Sequence, residues 1–325
     1  MKISKSLRDI HANQKERYGL LQQRVDDVMR LIKDRRWHYE SRVKELESFA
    51  LKVETGRYDD PNELEDFFAC TLVVENLGSI AKAERLARTR FKFQERRPKT
   101  DKFTSKPSDS FRFDDTRLYV RWKDYPLVRP TGLDGLLFEV QIKTFLAHAW
   151  SIATHNLTYK TDEKSWPKER IAFQIKAMLE HAETSIQEAT KLAASSSLKK
   201  TDELSERIST IIELINDLWP SVALPYDKKR LAENIDSLIR SVGIDLEALR
   251  QVLVKETELG RGTNTLNLSP YSTVVQSLFN QELQKMTKYV TGRSHKFKIY
   301  IPRELELPQS LRSAQLANAI LDTSG

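Results

Sequence analysis

Cysteine is almost missing from this chain: Cys70 is the single one in 325 residues. No internal disulfide can form, and a cysteine-clustered metal site is excluded. No apolar run approaches the roughly eighteen residues that would cross a bilayer. The start, Met1 to Ile10, lacks the apolar core of a secretion signal. A cytoplasmic protein with no membrane partner is therefore expected. No repeat of fixed period occurs. The run Gly260-Arg-Gly-Thr-Asn-Thr265 is glycine-rich but lacks the Lys-Ser/Thr ending of a phosphate-binding loop, so it reads as a connection.

Charge, by contrast, is abundant. The chain is 30% charged and 39% apolar, with a net charge of +7 and a pI near 9.2. That balance favours polyanionic partners such as nucleotides or tRNA, and bears on association more than on fold. The length allows one domain with a large extension, or two domains.

Taken in order, residues 4–36 read as a long helix with an apolar stripe from Ile10 to Ile32. The period then changes to two at Trp37 to Lys44, a short strand. A short helix over 48–54 stops at Gly56. Ala69 to Glu75 is a strand rich in β-branched residues. A helix over 78–90, a strand over 91–95 and a polar loop over 99–109 follow. Phe111 to Trp122 reads as a long strand carrying Arg112, Arg117 and Arg121. Phe138 to Thr144 alternates apolar residues with Glu139, Gln141 and Lys143, and Thr144 is placed to cap one helix running from Phe145 to Lys160. A helix from Trp166 to about Ala194 carries Ile171, Ile175, Met178 and Ile186. Beyond Ser195-Ser-Ser197 the pattern is mainly helical, over 202–218, 227–241, 245–259 and 270–291. A strand over 296–301 and a last helix near 308–322 finish the chain. The expected class is α+β on one mixed sheet, divided as a helical segment 1–37, a domain 38–197 and a mainly helical domain 198–325.

Two carboxylates stand out. Asp66 leads into one strand and Glu139 lies on another; were those strands neighbours, the pair could hold magnesium, which prefers oxygen ligands. Arg42, Lys44 and Lys52 could then clamp a polyphosphate. Trp37, Trp150 and Cys70 read as core, and His148 and His181 as structural.

The order Arg42-x-Lys44-x-x-x-Ser48-x-x-x-Lys52, then Asp66, then Glu139-Val-Gln-Ile-Lys-Thr144, then Ala149-Trp150 with His155-x-x-x-Tyr159-Lys160, resembles the synthetase domain of the RelA/SpoT family. The resemblance spans about residues 38–185. It implies a nucleotidyltransferase-like synthetase fold flanked by helices, and a magnesium-dependent transfer of pyrophosphate from ATP to the 3′ hydroxyl of a guanine nucleotide. In that pattern Arg42, Lys44, Ser48 and Lys52 would meet the ATP phosphates. Asp66 would hold the metal. Glu139 would share the metal or act as general base, with Gln141 in support, and His155, Tyr159 and Lys160 would close the site. Such chemistry needs a cation to spread charge on the phosphates and a carboxylate to take the hydroxyl proton.

Two departures bear on the acceptor. The family's glycine and arginine after the metal aspartate are replaced by Ala69 and Thr71. Its acceptor loop, Tyr-x-Ser-x-His, is matched by Phe113-Asp-Asp-Thr-Arg117. Phe113 can stack on a base, while Asp115, Arg117 and Arg121 would alter the polar contacts. Alternatives are an adenine nucleotide, the tRNA 3′ end as in toxin members, or a catalytically silent relative that binds nucleotide or a partner. No His-Asp dipeptide occurs, so the family's hydrolase half is not expected. The C-terminal part suggests a support, oligomerisation, sensing or inhibitory role.

Overall fold

A computed structural model describes residues 1–56, 60–100, 115–124, 131–158, 164–261 and 268–322. The chain forms two compact units, Met1–Leu198 and Lys199–Gly325.

In the first unit the elements run α1 (Lys5–Ile32), β1 (His38–Val43), α2 (Leu46–Val53), β2 (Phe68–Val74), α3 (Leu77–Arg90), β3 (Lys92–Arg97), β4 (Thr116–Arg121) and β5 (Leu137–Thr144). Then come α4 (Phe145–Ala153), α5 (His155–Thr158), α6 (Trp166–Gln187) and α7 (Ala189–Ala193). The five strands make one mixed sheet in the order β1-β2-β5-β4-β3. Only β2 and β5 pair in parallel; the other neighbours are antiparallel. The fold is α+β.

Alternation along each strand gives the sheet two unlike faces. Phe68, Cys70, Leu72 and Val74 of β2, Phe138, Val140 and Ile142 of β5, and Leu118 and Val120 of β4 are all buried. They share one core with Leu21, Val25 and Met29 of α1 and Ala83 and Ala87 of α3. Each large side chain so buried contributes about 1.5–3 kcal/mol. Packing of α1 into this core makes residues 1–37 part of the same compact unit. The opposite face carries Glu40 and Arg42 of β1, Ala69 and Thr71 of β2, Arg117 of β4, and Gln141 and Lys143 of β5. Alternation puts these polar positions together because the apolar ones occupy the core side.

Several boundaries differ from the sequence reading. The helix expected from Phe145 to Lys160 breaks at Thr154, whose buried hydroxyl donates to the Trp150 carbonyl at 2.7 Å. The helix expected to run on to Ala194 breaks at Glu188. The stripe on α6 is not core: Ile171, Ile175, Met178 and Ile186 are exposed, and Ala172, Lys176 and Glu183 are the buried positions. On α4 the buried residue is Ala147, with Phe145 and Ile152 exposed. Of the strand expected over 111–122, residues 111–114 lie outside the described residues, as does most of the 99–109 loop.

The second unit comprises α8 (Glu203–Leu218), α9 (Lys228–Val242), α10 (Leu246–Glu258), α11 (Pro270–Gln281), α12 (Leu283–Thr291), β6 (Ile299–Ile301), α13 (Gln309–Arg312) and β7 (Ala319–Leu321). Its core is drawn from the five longer helices, among them Ile211, Ile235, Ile239, Leu249, Leu278 and Val290. Gly243 ends α9 at φ 78°, a left-handed position that suits glycine. Asp236 is buried, and its charge is met by Arg207 at 2.6 Å and Arg240 at 2.9 Å. The helix expected over 308–322 is a correction: α13 is one turn, and β7 pairs in parallel with β6. Buried Asn318 imposes this. Its side chain accepts from the His295 amide at 2.6 Å and donates to the carbonyls of Tyr289 and Arg293 at 2.8 and 2.7 Å. Those bonds tie the last segment to the end of α12 more strongly than its own helix propensity can oppose. The sequence reading also joined α11 and α12, which break at Glu282.

Candidate active site

The polar face of the sheet forms one wall of a cavity of about 910 Å³. Glu40, Ser41 and Arg42 line it from β1, Ala69 and Thr71 from β2, and Gln141 and Lys143 from β5. Asp115 and Arg117 enter from β4 and the residue before it. His148, Trp150, Thr154 and His155 come from the helical segment that follows β5, and Glu169 and Phe173 from α6. That volume suits a nucleotide-sized ligand.

Glu139 lies beside this wall and is 3% exposed. A buried carboxylate needs partners, and it has them on both oxygens. The Tyr119 hydroxyl donates to Oε2 at 2.9 Å, and the Gln141 amide nitrogen donates to Oε1. Tyr119 is its direct neighbour in the β4–β5 register. Burial, with the Glu139 charge close by, pushes the Tyr119 hydroxyl well above its ordinary pKa, so it stays a donor. Burial lowers the Arg117 value, but the charges of Glu139 and Asp115 outweigh it and keep the guanidinium firmly protonated.

Asp66 stands two residues before β2. Its Oδ2 is held by Lys52 at 2.8 Å and by Lys44 at 3.0 Å, and its Oδ1 is buried without a hydrogen-bond partner. Burial opposes ionisation of this carboxyl, yet the two ammonium groups prevail and hold its pKa below the usual carboxylate value. Lys44 follows β1 directly, with its amide on the Phe67 carbonyl at 2.8 Å. Ser48 and Lys52 sit one turn apart on α2, hence on one side of that helix.

Register relates the two acids. Ala69, three residues after Asp66, faces Glu139 across the parallel pair. With strands about 4.8 Å apart and about 3.3 Å per residue, the two Cα atoms lie within roughly 11 Å. In this structure the acids have separate partners: lysines for Asp66, Tyr119 and Gln141 for Glu139. The unpartnered Oδ1 of Asp66 fits a hard cation, which binds carboxylate oxygen.

The remaining candidates divide. Arg42 is exposed on the cavity wall, and among the described residues no ion pair holds it. Asp115 pairs with Lys143 at 3.3 Å. His155 lines the cavity. Arg121 is turned to other work, donating to Gln94 and to the Gly135 carbonyl at 2.7 Å each. Phe113, Tyr159 and Lys160 lie outside the described residues. Trp37 is buried, donating to Glu75 at 2.7 Å, whereas Trp150 is a wall residue. Sequence reasoning missed Tyr119 and Glu40, named Lys143 on the charged strand face without giving it a role, and gave His148 a purely structural place. Only the register Tyr119↔Glu139, invisible within one strand, could have found the first.

Residues 41–164 match a family model described as the region found in RelA / SpoT proteins. The likeness to that region covers residues 41–164, somewhat over a third of the chain. It takes in the residues of the cavity wall from Ser41 to His155, the Lys44–Asp66–Lys52 cluster and Glu139. Among solved structures, the small alarmone synthetase 1 from Bacillus subtilis aligns with 57% of this chain and 94% of its own at 15% identity, TM-score 0.39. The small alarmone synthetase 2 from the same organism covers 57% and 97% at 14% identity, TM-score 0.43. A GTP pyrophosphokinase family protein from Streptococcus pneumoniae covers 59% and 97% at 18% identity, TM-score 0.42. No curated protein sequence matches the chain.

Behind the cavity wall, Thr144 fastens β5 to two helices. Its hydroxyl oxygen accepts from the Ala147 amide at 3.0 Å, capping α4, and its hydroxyl donates to buried Glu183 of α6. The Trp150 indole also reaches α6, donating to the Ala172 carbonyl at 2.8 Å. Thr144→Ala removes both the cap and the donor to Glu183. It should lower unfolding free energy by about 1–2 kcal/mol in urea titration, and Thr144→Ser should restore most of it.

Proposed function

We propose that this site transfers pyrophosphate from ATP to the 3′ hydroxyl of a nucleotide acceptor. The observation that carries the reading is Glu139: a buried carboxylate pinned by Tyr119 and Gln141, beside Arg117, on the strand next to the one Asp66 leads into. Holding a base in one orientation before substrate arrives is what a proton-transfer step requires. The acceptor oxygen attacks the β-phosphorus, the bond from that phosphorus to the α–β bridging oxygen breaks, and AMP leaves. The acceptor proton passes to Glu139. Arg42 is placed to bind phosphate oxygens, joined by Lys44 and Lys52 once these turn from Asp66. Magnesium would be held by Asp66 and would spread the charge developing on the phosphates; sharing that metal is the alternative role for Glu139, in place of taking the proton.

For the acceptor, a guanine nucleotide is the family's choice. The wall residues Ala69 and Thr71 in place of glycine and arginine, and the net charge of +7, support a second reading in which the tRNA 3′ end accepts.

The test is to incubate the full chain with magnesium and ATP labelled in the β-phosphate, offering GTP, GDP, ATP or bulk tRNA in turn. Label on a nucleotide supports the first reading, and label on tRNA the second. ATP binding with no transfer to any acceptor would leave only a silent nucleotide-binding relative.

A further inference from the structure

His38 and Glu40 stand two apart on β1, so they share one face of that strand. His148, in the first turn of α4, meets them there. The His38 and His148 ring centroids are 5.8 Å apart, and His148 Nδ1 lies 4.0 Å from Glu40 Oε1. One ligand atom from each of the three lies within 4.8 Å of the other two; among the described residues, this is the trio of donors that comes so close. The transfer reaction uses none of them.

We propose that His38, Glu40 and His148 bind one divalent transition ion of the zinc class, at the edge of the cavity and separate from Asp66 and Glu139. Two imidazoles and one carboxylate are a borderline-soft donor set, which zinc takes readily and magnesium does not. The geometry is close to what the ion needs. Three atoms no more than 4.8 Å apart lie within roughly 2.8 Å of a common centre, and zinc bonds to nitrogen and oxygen run about 2.0–2.2 Å. Each donor must therefore move by roughly 0.7 Å. Side-chain rotation supplies this for His38 and Glu40, which are both exposed. The nearest lysine on the wall, Lys143, has its charge met by Asp115 at 3.3 Å, so a cation is not strongly repelled. Three protein ligands leave a fourth position for water or for a group in the cavity, which Glu40 and His148 also line. The ion would join β1, two residues from Arg42, to α4.

Metal-free full-length protein titrated with Co(II) should show the visible absorption of a low-coordinate site at one ion per chain, displaced by Zn(II) but not by excess Mg(II). Calorimetry with Zn(II) should give the same stoichiometry. His38→Ala with His148→Ala should weaken Zn(II) at least about 100-fold, since even an outer-shell partner is worth 10- to 100-fold. Glu40→Gln should weaken it less. His181→Ala, on the exposed part of α6, and Glu139→Gln should leave it unchanged, so this site and the transfer site succeed or fail separately. Circular dichroism of the metal-free variants checks that they fold. Unaltered Zn(II) affinity in the folded double variant, or no Co(II) and Zn(II) binding by the wild type, overturns the proposal.

Discussion

Glu139→Gln should reduce pyrophosphate transfer by about 10³-fold in kcat/KM, within the range a positioned general base contributes. The substitution keeps the shape of the side chain and removes its charge and basicity. Tyr119 can still donate to the remaining carbonyl oxygen, so the protein should fold, with a Tm within a few degrees of wild type. ATP affinity, measured by equilibrium binding, should change little, because the loss falls on kcat. Tyr119→Phe tests the positioning half of the idea. It removes the donor at 2.9 Å and leaves the base, so a loss of roughly 10-fold is expected, together with a shifted acid limb of the pH–rate profile. Undiminished transfer by Glu139→Gln would reject this site altogether.

Asp66→Asn should act on both reaction and stability. The reaction loses its hard-cation ligand, so saturating magnesium should fail to restore the wild-type rate. The fold loses the charge that Lys44 and Lys52 share at 3.0 and 2.8 Å, leaving two ammonium groups to face each other. Lys52 is partly solvated, so the loss is moderated to about 1–3 kcal/mol. The sign with pH follows from the depressed carboxyl pKa. Such a group contributes fully above its unfolded value near 4, and its contribution is lost as pH falls through the lower folded value. The Tm gap between wild type and Asp66→Asn should therefore be constant from neutral pH down to about 5 and close below about 4. A gap that widened in acid would show that the lysines are not what sets the Asp66 carboxyl.

Much of the fold was legible along the chain, because period and propensity act over a few residues. β2 and β5 stand within a residue of where alternation and β-branching placed them, and Thr144 caps α4 as its position suggested. Where the reading went astray, tertiary structure had decided in two ways. Asn318, bonded to Tyr289, Arg293 and His295, turned the last segment into a strand, and the apolar stripes of α4 and α6 proved exposed. A stripe reveals that one side of a helix is apolar, but it does not say whether anything covers it.

The candidate site divides in the same manner. Residue types made Arg42, Lys44, Lys52, Asp66 and Glu139 candidates, since phosphate, metal and proton chemistry each demand a particular functional group, but it was the resemblance to the RelA/SpoT synthetase pattern that gave each a role. Which groups touch was settled only by packing. The β4–β5 register puts Tyr119 on Glu139, α2 carries Lys52 back to Asp66, and the start of α4 sets His148 beside β1. Strand pairing and helix docking join residues tens of positions apart, and nothing in a local stretch of sequence encodes the partner's register.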